Sequence, residues 1–205
     1  MSIEDLMSGK PQFDESAVIA AAVNVFWRHG YSAASISDLT EATGLSRSSI
    51  YQRFGDKDGL FLEALSAYSE RVLRRMAAAQ ADTARGRVEA LLRGFLPDPS
   101  APRRPVGCLI ARSCNEVVEL SETGQAAALA AAARQREIFA SMLHDAVRNE
   151  ELAHDADINA LAWYYFGVLQ AVVNFSSAGA DHGVLGRMIG VAMAAWPGHR
   201  RTAGC

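Results

Sequence analysis

Apolar residues recur every three to four positions along almost the whole chain, and no stretch alternates apolar with polar as a half-buried strand would. The pattern predicts an all-α protein of about nine helices. Val18, Ala22, Val25 and Phe26 share one face of a first helix over 14–29, closed by Gly30. Two short helices follow, then a long one over 57–81 carrying Leu60, Ala64, Tyr68 and Leu73. Further helices are predicted over 84–96, 107–120, 124–150, 156–178 and 182–196. Pro97–Pro105 (PDPSAPRRP) holds four of the six prolines and reads as a loop. Residues 1–12 read as a loose arm with Pro11 just before the first helix, and no internal repeat is visible. The Ala-rich segment GQAAALAAAARQ suits a helix.

The most informative stretch is Ser35–Lys57. Ser35 or Ser37 can cap a helix whose one face carries Ile36, Leu39 and Ala42. Gly44 follows the last turn, where a left-handed residue is free of steric cost only for glycine. Leu45 plugs the corner, Ser46 can cap the next helix, and Ile50 and Phe54 lie four apart on its inner face. Arg47, Ser48, Ser49, Tyr51, Gln52 and Arg53 are left for the outer face and flanks. Such side chains reach base edges and phosphates when a helix-turn-helix docks in the major groove. Two short amphipathic helices joined by glycine also occur in helical proteins that bind no nucleic acid, so the pattern alone leaves both readings open.

Phe13–Leu65 as a whole adds several features in order: Phe26 and Trp27 near the first helix end, the HGY turn, DLTEATG, then Tyr51, Phe54 and Lys57. This segment resembles the N-terminal domain of TetR-family transcriptional regulators. The resemblance implies a DNA-binding head over 1–57 and an effector-binding and dimerisation body over 58–205. It also implies double-stranded DNA, a second copy of the chain and a small-molecule effector as partners. Carried over by position, Arg47, Ser48, Ser49 and Gln52 are the expected base contacts. Tyr51, Arg53 and Lys57 are the expected phosphate contacts, with Ser35 and Ser37 adding to them from the preceding helix. Many relatives have glycine where Ser48 stands, so base preference cannot be copied from them. Tyr51 has a second reading, with its ring inside the head. A basic N-terminal arm can touch the minor groove in such regulators; here only Lys10 is positive.

Charge sharpens this picture. The 205 residues carry a net charge of −3, and residues 1–57 hold five Lys or Arg against seven acids. This argues against a general nucleic-acid coat; a local basic face between Arg47 and Lys57 is expected, with salt-sensitive binding. MSIEDLMSGK lacks the apolar segment of a secretory signal. Ile158–Ala180 contains no Asp, Glu, Lys or Arg, yet Asn159, Gln170, Asn174, Ser176 and Ser177 interrupt it. It falls short of the ~20 apolar residues of a membrane span. Cys108, Cys114 and Cys205 show no zinc spacing, and an odd count without a signal fits a reducing cytoplasm.

In the body, Phe139, Met142 and His144 on one helix and Trp163, Phe166 and Gln170 in WYYFGVLQ are candidate effector-pocket residues. The alternative is that this aromatic stripe belongs to the core and the dimer contacts. Cys108 in GCLIARSCNEV sits near a predicted helix start, with Arg103 and Arg104 before it and Arg112 one turn on. All three effects lower a thiol pKa. The GCL motif is similar to that of a subset of TetR-type regulators, some of which sense electrophiles or oxidants through this cysteine. A reactive sensor and a small packing residue are the two readings of Cys108; Cys114 reads as core. Leu161, Leu169, Val173, Leu185, Ile189, Met193 and Trp196 give the last two helices more apolar surface than a monomer should expose. They are the expected dimer interface, and two-fold pairing predicts an inverted-repeat operator.

No cofactor and no metal are expected. The chain lacks GxSxG, a Walker-type loop, GxGxxG and HExxH, and His29, His144, His154, His182 and His199 are scattered. The leading expectation is an effector-responsive, cytoplasmic DNA-binding repressor. An architectural DNA-binding protein without effector and a small all-α enzyme are the alternatives.

Overall fold

The computed structural model describes residues 14–98, 100 and 105–198. The expected N-terminal arm, Arg103, Arg104, His199 and Cys205 lie outside them. Among the described residues there are nine α-helices and no strand: α1 Glu15–Ala33, α2 Ile36–Thr43, α3 Arg47–Phe54, α4 Lys57–Ala77, α5 Ala84–Gly94, α6 Leu109–Asn115, α7 Glu122–Arg148, α8 Ile158–Asn174 and α9 His182–Ala194.

Local chemistry sets most of these boundaries. Eight helices open on a side chain that accepts a backbone N–H of the first turn: Asp14, Ser35, Ser46, Asp56, Thr83, Ser121, Asp157 and Asp181. Each such cap contributes about 1 kcal/mol. Ser35 and Asp38 form a full capping box, and the hydrogen bonds from Ser35 hold the Asp38 carboxyl below its ordinary pKa. Gly44 ends α2 with φ 70° and its N–H on the Thr40 carbonyl. α6 is the exception, starting at Cys108 without a side-chain cap.

The head is α1–α3 wrapped on the first half of α4. Phe26 meets Phe61 edge to face at 5.2 Å, with Leu39, Leu45, Ile50 and Leu65 buried around them. Ile36 and Phe54 are half-buried against this core; Ala42, expected inside, faces solvent. The body packs α7 across α4, α5, α6 and α8, and α9 closes on α5 and α8. α4 belongs to both halves: Leu60–Leu65 serve the head, while Tyr68, Val72 and Met76 are buried further along.

Two predicted helices are instead each an α-helix and a separate 3-10 turn. The 107–120 segment forms only α6 and a 3-10 turn at Val117–Glu119, because Gly107 (φ 91°) and Glu116 leave helical geometry. The 156–178 segment becomes α8 plus a 3-10 turn at Phe175–Ala178. Among the described residues no helix is long and apolar enough to cross a membrane, as the interrupted 158–180 segment leads one to expect.

Candidate functional site

α3 stands out from the head with its polar face uncovered. Arg47, Ser48, Tyr51, Gln52 and Arg53 are exposed, and Ser49 is half-buried. Tyr51 is 45% exposed, which settles its two readings: the ring lies outside. Neither the Arg47 nor the Gln52 side chain has a hydrogen bond or ion pair among the described residues, so both are available to a ligand. The Ser46 hydroxyl holds those of Ser48 and Ser49 at 2.9 and 2.8 Å, which fixes the start of the helix.

Three of the expected DNA contacts are partly committed elsewhere. Arg53 pairs with Glu15 of α1, both side chains exposed. Ser35 gives its hydroxyl to the capping box, while Ser37 is exposed. Lys57 donates to the carbonyls of Tyr31 (2.8 Å) and Ala34 (3.0 Å) and lies 4.3 Å above the Tyr31 ring. Two of the three ammonium protons thus fasten α4 to the end of α1, leaving one for a phosphate. The Tyr31 hydroxyl donates to Asp58, and burial with that carboxylate pushes its pKa up.

The body holds a cavity of about 790 Å³ between α1, α4, α7 and α8. Its walls include Trp27, Tyr68, Arg71, Val72, Arg75, Phe95, Cys108, Gln135, Leu169, Gln170 and Val173. Of the expected pocket residues, Cys108 and Gln170 are there. Phe139 and Met142 are buried in the core and do not line the cavity, and His144 faces solvent. Trp163 is 52% exposed and, with half-buried Phe166, turned to the outer side of α8, where Arg136 covers its ring. Arg112 lines a smaller neighbouring cavity of about 320 Å³, with Trp27, Cys108 and Glu116.

The expected dimer set changes too. Leu185, Ile189 and Met193 are buried within the chain, and Leu169 and Val173 face the cavity; Leu161 and Trp196 are half-buried against the core. The apolar groups left outside are Trp163, Tyr164, Phe175, Val184 and Val191, the last 73% exposed. α8 and α9 are apolar on nearly every side, so periodicity could not say which face turns inward.

Cys108 does lie at a helix start, but the consequence expected for its thiol is reversed. It is 7% exposed, and burial pushes its pKa up despite hydrogen bonds with Tyr68 and Gln135. Arg112 is turned onto Glu116 (3.3 Å) and gives the thiol no ion pair. Cys114 is half-buried with its pKa also raised by burial. Iodoacetamide at pH 7.5 should therefore label Cys108 at least about tenfold more slowly than a free thiol, with urea abolishing the difference. Labelling at the free-thiol rate in the folded state, read by mass spectrometry of the peptide, would contradict this placement.

Sequence reasoning missed the residues that join cavity and head. The Trp27 indole donates to the Gly107 carbonyl (3.1 Å) and meets Tyr68 edge to face at 5.0 Å. The Glu116 carboxylate accepts the N–H groups of Tyr31 (2.7 Å) and Ser32 (3.3 Å), just past the break in α1 at Gly30. Gln135 offered a signal: it interrupts the buried stripe Ala128, Ala131, Phe139, Met142 of α7. A glutamine there needs a partner, and Gln170 supplies one at 3.2 Å. Among the described residues no group of three or more His, Cys, Asp or Glu side chains could hold a metal ion.

Comparison with known proteins agrees with this geometry. Residues 18–64 match the family model of bacterial regulatory proteins of the tetR family, and residues 84–190 match that of the tetracyclin repressor-like C-terminal domain. The HTH-type transcriptional repressor ComR of Escherichia coli K12 is 27% identical over 194 residues, covering 92% of each chain. The HTH-type transcriptional repressor AcnR of Corynebacterium glutamicum is 39% identical over 90 residues, 44% of each chain. A cysteine-substituted TetR family regulator, CifR, solved with 26 bp double-strand operator DNA, superposes with a TM-score of 0.79 at 30% identity, covering 92% of this chain and all of that one. An uncovered polar face on the second helix of a helix-turn-helix, carried on a helical body, therefore belongs to a DNA-binding transcriptional regulator, and the chain is a member of the tetR family.

Proposed function

We propose that the protein is an effector-controlled repressor acting as a two-fold homodimer, with residues 1–57 as its DNA-binding head and 58–205 as its effector-binding and dimerisation body. Arg47, Ser48 and Gln52 of α3 read bases in the major groove. Ser49, Tyr51, Arg53 and Ser37 steady the backbone and the third ammonium proton of Lys57 adds to that grip, while Ser35, whose hydroxyl and N–H both donate to Asp38, acts by capping α2. The observation that carries the reading is the shared wall. Trp27, on the head's own α1, lines the 790 Å³ cavity with Tyr68, Gln135 and Gln170 of the body. A ligand filling that space changes the surroundings of α1 directly. If it fits better when α1 has moved, it draws the population away from the DNA-binding arrangement.

The exposed Trp163 on α8 and Val191 on α9 mark the surface through which two copies meet. Pairing there sets two α3 helices one or more DNA turns apart, so the operator is an inverted repeat. Selection of bound sequences from random duplexes at near-physiological salt tests this. The expected product is a palindrome with the native chain and no enrichment with Val191→Glu, which should sediment as a monomer. Recovery of a single, non-repeated site, or of no motif by the native dimer, would reject the proposal.

A further inference from the structure

The chemistry of the cavity wall narrows the class of effector. Arg71, on α4, lies 5.3 Å from the Tyr68 ring centroid and makes no ion pair among the described residues. Arg75, one turn on, donates to the Gly94 carbonyl and lies 4.5 Å from the Phe95 ring centroid. Asp98 is the one carboxylate among the described lining residues, and its Oδ1 accepts from the N–H and hydroxyl of Ser100 at 2.9 and 2.7 Å.

This arrangement disfavours a cationic ligand in two ways. Two of the three aromatic rings on the wall, Tyr68 and Phe95, already carry the guanidinium groups of Arg71 and Arg75, and the third, Trp27, is packed edge to face with Tyr68. The same guanidinium groups repel a second cation. Thiol chemistry is disfavoured as well, since Cys108 is buried and hydrogen-bonded. What the wall lacks is an anion for Arg71. Elsewhere it is apolar (Val72, Leu169, Val173), with the Gln135–Gln170 amide pair as a neutral polar anchor. A planar guanidinium forks onto a carboxylate with two parallel bonds, and Arg71 is exposed enough to be reached by one.

We infer that the cavity takes an organic carboxylate with an apolar body, its acid group on Arg71 and its body against Trp27, Leu169 and Val173. The volume suits a ligand of ordinary metabolite or drug size. The inference rests on the reading of this cavity as the effector site and adds the class of ligand.

Isothermal titration of the full chain with naphthyl-, phenyl- and long-chain alkyl-carboxylates, each beside its primary amide, tests it. At least one acid should bind about tenfold or more tightly than its amide. Arg71→Gln should remove that advantage while leaving amide affinity and melting temperature near native, and Arg71→Lys should restore part of it. Leu169→Trp, which intrudes where the ligand's apolar body is placed, should weaken binding of acid and amide alike. Three results would overturn the inference: no acid binding, amides binding as well as acids, or an acid preference that survives Arg71→Gln. The operator selection uses no ligand, so a recovered palindrome together with any of these results fells the carboxylate assignment and leaves the regulator standing.

Discussion

Replacing Gly30 by alanine is expected to lower the thermal midpoint by on the order of 10 °C. Gly30 sits at φ 80°, ψ 177°, a region open essentially to glycine alone. Holding an alanine there costs about 1–3 kcal/mol. The second cost is steric: a Cβ on Gly30 would stand 2.0 Å from Oε1 of Glu116 and 2.7 Å from its Cδ. The carboxylate must leave, and the N–H groups of Tyr31 and Ser32 lose a charged acceptor worth about 1.5–3 kcal/mol. Together the two reach ~3–5 kcal/mol, and each kcal/mol moves the midpoint of a chain this size by about 2–4 °C. Glu116→Ala removes the acceptor but not the backbone conformation, so it should cost about 1–3 kcal/mol. The double variant should cost clearly less than the sum, because Glu116→Ala also removes the clash. Urea unfolding of the four proteins measures the coupling. Additivity within about 0.5 kcal/mol would mean that Gly30 and Glu116 act independently.

This contact also shows what the sequence could not reveal. The head was legible because its information is local. Ser35 and Asp38, Ser46, and Asp56 cap within three residues of themselves, Gly44 marks the turn, and Leu39 and Ile50 declare the inner face. Glu116 is 85 residues from Tyr31, and nothing in its own neighbourhood tells that its carboxylate closes the end of α1. The same holds for Trp27, whose indole reaches across 80 residues to Gly107. The body misled where composition is uniform. α8 and α9 place apolar groups on all sides, so Ile189 and Met193 read as interface although buried, and Trp163 read as pocket although outside. The cavity itself is lined by four helices, a 3-10 turn and two loop segments, and only Cys108 and Gln170 among the expected pocket residues belong to it. Cys108 shows competing effects: its place at a helix start favours a thiolate, but seven-residue α6 cannot offset near-complete burial.

The largest effect on function is expected from Arg47→Ala. The residue opens α3, faces solvent and has no partner of its own, so its removal should leave the fold intact. A bidentate guanidinium–guanine contact is worth about 1–3 kcal/mol of discrimination. A two-fold dimer loses it twice, about 2–6 kcal/mol, or ~30-fold to ~10⁴-fold in operator affinity. The loss should fall on the selected operator and spare a scrambled duplex, since phosphate contacts carry no sequence information. Glu15→Gln should act the opposite way. It releases Arg53 from its exposed ion pair, so operator and scrambled duplex should both bind several-fold more tightly, with a salt slope steeper by about one per protomer. Fluorescence anisotropy of both variants on both duplexes, across a range of salt, separates the roles. Equal weakening of operator and scrambled duplex by Arg47→Ala would make Arg47 a phosphate contact, and base reading would pass to Gln52 and Ser48. An unchanged affinity would remove Arg47 from the interface, and with it the orientation of α3 in the groove on which the inverted-repeat model depends.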